Sequence, residues 1–371
     1  MPAGPTDKNL KRYPLRKAVG REATLQAWDA ADELLLEHAQ SLSLDGARVL
    51  ILNDSFGALS CGLQAAAPAA PTTSATYTDS YISARAISLN SGGRISAIHR
   101  LSDLQGPYDF VFGRIPKNLS FFEDELCHLS AQLSPGGRVA FGVMVKHQAK
   151  GAFDLLDRII GPTTTSLARK KARLIFAELK REPIRSPYPR EVEIEGFAEP
   201  FVQTSNLFSR EQLDIGTRFF LEHIPEGDFE TILDLGCANG IVGIRAKELN
   251  PASGVVFVDE SAMAIESASA NYERRFGQKP VTVWTNCYED QPAESLDLVL
   301  CNPPFHQGTS VGDHVAWQMF TDARHALNPG GLLRVIGNTH LRYPGALKKI
   351  FGNSEIVASN SKFTIVDAVK N

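Results

Sequence analysis

Four consecutive residues, Asn302-Pro303-Pro304-Phe305, combine groups that can hold a planar amine. They follow an apolar run at residues 296–300 that predicts a buried parallel strand, and ligands of open α/β sheets bind at the carboxyl ends of such strands. The prolines stiffen the backbone and remove two N–H donors. The Asn302 side-chain oxygen and the Pro303 carbonyl can accept the two hydrogens of an NH₂ group while the Phe305 ring stacks on its face. The alternative is an ordinary strand-ending turn, because Asn-Pro is a common turn signal.

A glycine-rich turn lies upstream, in the motif Asp234-x-Gly236-x-Ala238-x-Gly240. It separates a predicted strand at residues 231–235 from a predicted helix. Glycines in such a turn let the backbone approach a ligand closely. The spacing does not match the dinucleotide fingerprint, and the motif alone is weak evidence for any one cofactor.

Polar residues also end the two predicted strands that come next along the chain. Asp259 lies 23 residues after Gly236, where a carboxylate can accept both ribose hydroxyls of either NAD or S-adenosylmethionine, or simply cap a helix. Asn286 can meet an adenine amine or serve the fold alone. Asn302 and Phe305 favour S-adenosylmethionine, because hydride transfer requires no turn that holds an amine.

The composition is that of an ordinary globular protein. The length of 371 residues predicts two domains. No apolar run reaches transmembrane length, so no membrane partner is expected. The five cysteines are scattered, without Cys-x-x-Cys spacing. This pattern predicts reduced thiols in the cytoplasm, no disulfide framework and no metal site.

Charge is distributed unevenly along a chain whose net charge is only −4. Residues 146–190 hold eleven Lys or Arg against four acidic residues, a local charge of +7, and the remainder carries −11. Such a basic segment is a candidate footprint for a polyanion, with phosphate contacts predicted at Lys170, Lys171 and Arg173. The alternative is a solvated linker surface.

The two halves of the chain repeat each other. Three segments align in the same order: residues 49–57 with 232–240, 109–117 with 297–305, and 135–137 with 329–331. In the first copy, Asn-Pro-Pro-Phe is replaced by Arg-Ile-Pro-Lys at residues 114–117. Alternating strands and helices predict an α/β fold for each copy. We therefore predict a mobile basic arm at 1–23, a degenerate domain at 24–190 that has the scaffold without the site, and a domain at 191–371 that keeps the site.

These motifs resemble those of class I S-adenosylmethionine-dependent amino-methyltransferases. The segments 51–61, 161–165, 170–173 and 213–216 extend the resemblance to the RsmC/RlmG family of ribosomal RNA guanine-N2 methyltransferases, and most closely to its large-subunit branch. The resemblance implies two tandem Rossmann-like methyltransferase domains. It implies that the degenerate N-terminal copy at 24–190 binds RNA and that the copy at 191–371 is catalytic. It also implies that Asp214, Gly216 and Thr217 help to bind the cofactor. Ala238 is a departure, since the family usually has glycine there.

The expected activity is methylation of the exocyclic N2 amine of one guanine in 23S ribosomal RNA. S-adenosyl-L-methionine is the expected donor and S-adenosyl-L-homocysteine the product. The cofactor is expected to contact Asp234, Gly236, Gly240, Asp259, Asn286 and Asn302 in addition to the residues implied above. A monomer is expected. Three alternatives remain: the same chemistry on 16S rRNA, methylation of a protein glutamine, and an RNA-binding module without catalysis.

Overall fold

A computed structural model describes residues 27–66, 74–147, 150–207, 213–304 and 310–371 of the chain. It divides into two compact units, Met1–Tyr188 and Pro189–Asn371. The sequence-based prediction placed this division at residue 190. The predicted basic arm at residues 1–23 lies outside the described residues.

The first unit is a mixed sheet with helices. Its elements, in chain order, are α1 (Ala30–Gln40), β1 (Val49–Leu52), α2 (Ala58–Ala66), β2 (Ser74–Tyr77), α3 (Tyr81–Asn90), β3 (Tyr108–Arg114), α4 (Leu119–Ser130), β4 (Leu133–Met144), α5 (Lys150–Ile159), β5 (Thr164–Thr165) and β6 (Ala172–Glu178). The strand order is β2-β1-β3-β4-β6-β5. The first four strands are parallel, and β6 runs antiparallel to both of its neighbours.

The second unit contains a seven-stranded sheet and a separate two-stranded ribbon. Its elements are β7 (Arg190–Val192), β8 (Phe201–Gln203), α6 (Ile215–Leu221), β9 (Thr231–Leu235), α7 (Ile241–Leu249), β10 (Gly254–Asp259), α8 (Ala262–Phe276), β11 (Val281–Trp284), β12 (Leu296–Cys301), α9 (Ser310–Ala326), β13 (Leu327–Asn338), α10 (Tyr343–Phe351), β14 (Glu355–Ser359) and β15 (Phe363–Val369). The sheet order is β11-β10-β9-β12-β13-β15-β14. The strands from β11 to β13 are parallel, whereas β15 is antiparallel to β13 and β14.

Strand β12 shows how the central sheet is covered on both of its faces. Leu298 and Leu300 pack into the core on one face of the sheet, whereas Val299 and Cys301 pack into the core on the other. Alternate residues of a strand point to opposite faces, so a strand covered on both faces must be apolar at every such position. The polar residues that follow β12 therefore begin only at the sheet edge.

The strand orders reveal the same architecture twice. In the first unit β1 lies between β2 and β3, and in the second unit β9 lies between β10 and β12. In both units an antiparallel pair of strands closes the far end of the sheet. Among the residues of the first unit that the structure describes, none forms a paired strand in the position of β11. A single parallel bridge between Tyr77 and Ile98 occupies it instead. The predicted fold class, two tandem Rossmann-like α/β domains, is confirmed.

Across the described ranges, no helix combines the length and apolarity needed to cross a membrane. The same ranges contain no group of three or more His, Cys, Asp or Glu side chains arranged to hold a metal ion.

Candidate active site

The carboxyl ends of three neighbouring strands bring the predicted site residues together. Leu235, which ends β9, pairs in register with Val258 of β10 and with Cys301 of β12. Gly236, Asp259 and Asn302 each directly follow one of these three residues, so they lie side by side at the sheet edge. Strand β9 is also where the strand order reverses, and ligands of open α/β sheets bind at that point.

The glycine-rich turn has a backbone that few residues adopt. Gly236 and Gly240 have φ values of 80° and 81°, and Ala238 has a φ of 48°. Glycine takes this left-handed region freely, whereas alanine pays for it by about 1 kcal/mol. Gly240 is also restricted by space, since a Cβ there would come within 3.0 Å of the Ala268 backbone. The turn therefore packs closely against Ala268, and its glycines let the backbone approach a ligand.

Asp234 holds this turn against the helix that follows it. The side chain is buried, and Oδ2 accepts a hydrogen bond of 2.8 Å from the Gly243 amide in α7. Burial and, to a smaller extent, the nearby Asp259 carboxylate raise the pKa of Asp234 to about 7, although the hydrogen bond from the Gly243 amide acts to lower it. This contact assigns Asp234 a structural task. Its predicted contact with the cofactor remains a prediction.

We expect Asp234→Asn to abolish part of the pH dependence of stability. A carboxyl whose pKa is higher in the folded than in the unfolded state stabilises the fold fully below about pH 4 and loses that contribution as the pH rises through about 7. The rise of the pKa from its ordinary value of 3.8 to about 7 corresponds to about 4 kcal/mol. Asparagine keeps the acceptor for Gly243 but does not ionise.

Hydrogen exchange of the β9 amides, measured from pH 4.5 to 8, tests this expectation after correction for intrinsic exchange rates. Protection in the wild type should fall across this range relative to the Asp234→Asn protein. The asparagine amide can change protection by the same amount at every pH, but it cannot make protection vary with pH. Parallel pH profiles for the two proteins would contradict the assigned pKa.

Asp259 connects the turn to the end of β10. Its Oδ2 accepts the Ala238 amide at 3.0 Å, and its Oδ1 accepts the Ser261 amide at 2.9 Å. An ionised carboxylate has about four acceptor positions and can accept hydroxyls, such as those of a ribose, as well as amides. The carboxylate thus fits the predicted ribose contact and at the same time fixes the turn.

Asn286 is engaged within its own loop. Its Nδ2 donates to Glu289 at 3.3 Å, and its Oδ1 accepts a weak bond from the Cys287 thiol at 3.6 Å. Burial raises the pKa of Glu289 to about 7, with Asp290 as a further cause. The predicted contact between Asn286 and adenine remains a prediction, and Glu289 is a titratable neighbour that the sequence analysis did not single out.

Asp214, Gly216 and Thr217 form the start of helix α6. Asp214 caps the helix, because its Oδ2 accepts the amides of Gly216 at 3.0 Å and Thr217 at 3.1 Å. A Cβ on Gly216 would lie 2.9 Å from the Phe363 ring, so only glycine allows this packing. The cap and the packing fix where the Thr217 hydroxyl lies.

The nitrogen of the Asn302 side-chain amide has a hydrogen-bond partner, whereas the oxygen has none. Its Nδ2 donates to Thr217 Oγ1 at 3.1 Å. Its Oδ1 is buried and accepts no hydrogen bond, and among the described residues of this unit only Gln203 Oε1 is another such side-chain oxygen. A buried acceptor without a donor is costly, which makes this oxygen a ready partner for a bound N–H. Pro303 is buried behind it, and Phe305 lies outside the described residues.

Known protein families match both halves of the chain. Residues 199–367 match the model described as methyltransferase small domain, and residues 4–181 match the RLMG N-terminal domain. The ribosomal RNA large subunit methyltransferase G of Pseudomonas syringae pv. syringae is 44% identical over 366 residues, covering 96% of this chain and 96% of the relative. The chain belongs to the ribosomal RNA large subunit methyltransferase G family. The resemblance found from the motifs is thereby confirmed.

A second relative has the same name, and one solved structure has the same fold. The protein of the same name from Stutzerimonas stutzeri is 44% identical, covering 93% of this chain and 94% of the relative. The structure titled T. thermophilus 16S rRNA N2 G1207 methyltransferase (RsmC), in complex with AdoMet and guanosine, has a TM-score of 0.76 at 21% identity and covers 92% of both chains. At that identity it supports the fold alone.

In this member of the methyltransferase G family, the N-terminal copy has replaced the site with an ion pair. Arg114 stands at the end of β3 as Asn302 stands at the end of β12, and Asp32 in α1 corresponds to Thr217 in α6. The Arg114 guanidinium lies 2.7 Å from both Asp29 and Asp32. The neutral contact between Asn302 and Thr217 thus corresponds to a charge cluster of Arg114 with Asp29 and Asp32 in the N-terminal copy.

The three predicted RNA contacts differ in their surroundings. Lys170 is exposed but lies 2.7 Å from Glu33, and its neighbour Arg169 pairs with Glu37. Lys171 is exposed, whereas Arg173 is half-buried with an unpartnered Nε. Acidic residues of α1 thus neutralise part of the charge that the sequence alone assigned to this segment. Phosphate binding by these residues remains a prediction.

Proposed function

We propose that this protein methylates the exocyclic N2 amine of one guanine in large-subunit ribosomal RNA, with S-adenosyl-L-methionine as methyl donor. The observation that carries the proposal is the buried, unpartnered Oδ1 of Asn302 beside the glycine-rich turn. A planar NH₂ group supplies the donor that this oxygen lacks. The names of the relatives support ribosomal RNA of the large subunit as the substrate.

The residues of the chain fit the predicted cofactor. The turn that contains Gly236 allows close backbone approach, and the Asp259 carboxylate at the same sheet edge is a group that accepts hydroxyls. When bound, S-adenosyl-L-methionine supplies a methyl group on a sulfonium, which is a good leaving group. Asn302 borders the same sheet edge, so the amine and the donor are expected to meet there.

Asn302 then has a defined task in the reaction. The lone pair of guanine N2 is delocalised into the ring, so the amine is a weak nucleophile. Hydrogen bonds from the amine to Asn302 Oδ1 and to the Pro303 carbonyl would direct the lone pair towards the methyl group. Phe305 would stack on the base and fix its plane. Positioning of this kind accounts for most of the acceleration, and no side-chain base is needed before transfer because the methylated amine becomes acidic.

The N-terminal unit is proposed to bind and orient the RNA. Its degenerate edge and the basic segment around Lys171 support a role in RNA binding rather than in catalysis. The alternative role is to stabilise the catalytic copy. A guanine within a duplex must leave its stack before it can reach the site. Ribosomal RNA as substrate also supports the cytoplasmic location expected from the sequence.

Methylation of a protein glutamine is the second candidate, because a side-chain amide is also a planar NH₂ group. Family membership and the basic segment count against it. It shares the same Asn302 contact, so only the identity of the labelled product distinguishes the two activities.

The test uses purified protein, labelled S-adenosylmethionine and ribosomal RNA that lacks the modification. After digestion to nucleosides, label is expected in N2-methylguanosine from 23S RNA, and the labelled fragment would locate the base. Label in 16S RNA would keep the chemistry and overturn the assigned subunit. Label only in a protein glutamine would overturn the proposed substrate.

A further inference from the structure

An aromatic cleft lies on the sheet of the N-terminal unit, away from the edge that corresponds to the catalytic site. Phe110 lies near the amino end of β3 and Phe176 near the carboxyl end of the antiparallel β6, so the cleft opens at the amino edge of the parallel strands. Arg114 and its ion pair lie at the other end of β3. The cleft has a volume of about 400 Å³, within the roughly 300–1,000 Å³ of small-molecule sites.

Four rings line the cleft. The Phe110 and Phe112 rings are 2° from parallel with centroids 6.3 Å apart, and the His38 ring lies 4.8 Å from that of Phe176. Phe110 and Phe112 are buried and form the floor, whereas His38 and Phe176 are half-buried and leave part of their surfaces open. Burial lowers the pKa of His38, and Arg138 lowers it further, so the imidazole is neutral at pH 7. His38 and Phe176 thus offer ring surfaces on which a flat group can stack, above a floor made by Phe110 and Phe112.

Cations stand at the rim of the same cleft. The Arg138 guanidinium lies 4.5 Å from the centre of the Phe110 ring, and within the described ranges no carboxylate approaches it to 4.0 Å. Lys180 is exposed and lies 3.8 Å from Glu178, a distance at which an exposed pair contributes little. Arg138 is therefore a cation whose charge is available to a ligand.

We infer that this cleft binds one unpaired nucleotide of the substrate RNA, with the base against Phe176 and His38 and a phosphate on Arg138 and Lys180. An apolar peptide would leave the cations unused, and a small anion would leave the rings unused. A nucleotide uses both, since unpaired bases stack on aromatic side chains and phosphates pair with Arg and Lys. The inference rests on the proposed function, because that function supplies RNA as the ligand.

Photocrosslinking of the full-length protein tests the inference. The probe is a single-stranded octamer of uridine that carries one 4-thiouridine, and crosslinked peptides are identified by mass spectrometry. We expect crosslinks in peptides that contain Phe110 or Phe176. Crosslinks confined to the segment around Lys170 and Lys171, or no binding of the octamer at low salt, would overturn the inference.

Two matched pairs of variants separate stacking from charge. Phe176→Leu should weaken octamer binding about tenfold, because stacking is lost and apolar volume is kept, whereas Phe176→Tyr should bind like the wild type. Arg138→Ala should weaken binding and lower the slope of log K against log salt by about 1. Lys117→Ala removes an exposed charge beyond the other end of β3 and should change affinity much less.

The same variants distinguish this inference from the proposed function. If guanine is methylated and all cleft variants bind the octamer like the wild type, only the cleft assignment fails. If no RNA is methylated by the wild type, the proposed function fails whatever the octamer shows.

Discussion

Asn302→Ala is expected to lower the rate of methyl transfer by about two to three orders of magnitude while RNA affinity stays nearly unchanged. The reason is geometric, because the variant removes the only described side-chain oxygen at the end of β12 that is buried without a partner. Affinity should persist because the RNA contacts proposed for the N-terminal unit remain. The measurement is the single-turnover rate at saturating RNA, together with the dissociation constant of the RNA.

Asn302→Asp serves as the matched control. Aspartate keeps an acceptor at the same place, and its second oxygen can accept a hydrogen bond from the Thr217 hydroxyl. It should therefore retain more activity than alanine, although its charge alters the site. Near-normal turnover of Asn302→Ala would show that the amine is held elsewhere and would remove the central step of the proposed mechanism.

The local pattern of the sequence was enough to predict the architecture. Apolar runs bounded by Gly, Pro and Asn marked the strands, and the three repeated segments indicated the duplicated sheet. The start of α1 shows what such patterns do not report. The helix begins at Ala30 because Asp29 and Asp32 form a capping box that satisfies its first backbone amides.

The candidate site was predictable as a set of residue types but not as a set of contacts. Asn302 could be assigned as an acceptor because it follows a buried strand. That its amide nitrogen would bind Thr217 could not be read from the sequence, because the two residues are 85 positions apart. The same limit applies to Asp234, since its raised pKa depends on complete burial and on the nearby Asp259. Long-range packing, which periodicity does not report, decides both.

Thr217→Val is expected to lower the rate of methyl transfer by about tenfold to a hundredfold. Valine has nearly the shape of threonine but cannot accept the hydrogen bond from Asn302 Nδ2, so the amide loses the contact that holds its oxygen in place. The cap of α6 does not depend on the hydroxyl, because Asp214 binds the backbone amides. Thr217 is thus a positioning residue, and Thr217→Ser, which keeps the hydroxyl, should restore most of the rate.

A double-mutant cycle separates positioning from a merely structural effect. If Thr217 acts through Asn302, then Thr217→Val should cost almost nothing further once Asn302 is alanine, because there is no amide left to orient. The thermal midpoint should change little in Thr217→Val, since the loss is one hydrogen bond of about 1 kcal/mol. If the losses in log rate of Thr217→Val and Asn302→Ala add in the double variant, or if Thr217→Ser is as slow as Thr217→Val, the hydroxyl acts on something other than Asn302. Such an outcome would leave the orientation of Asn302 to the buried ring of Pro303 and to the backbone that follows β12.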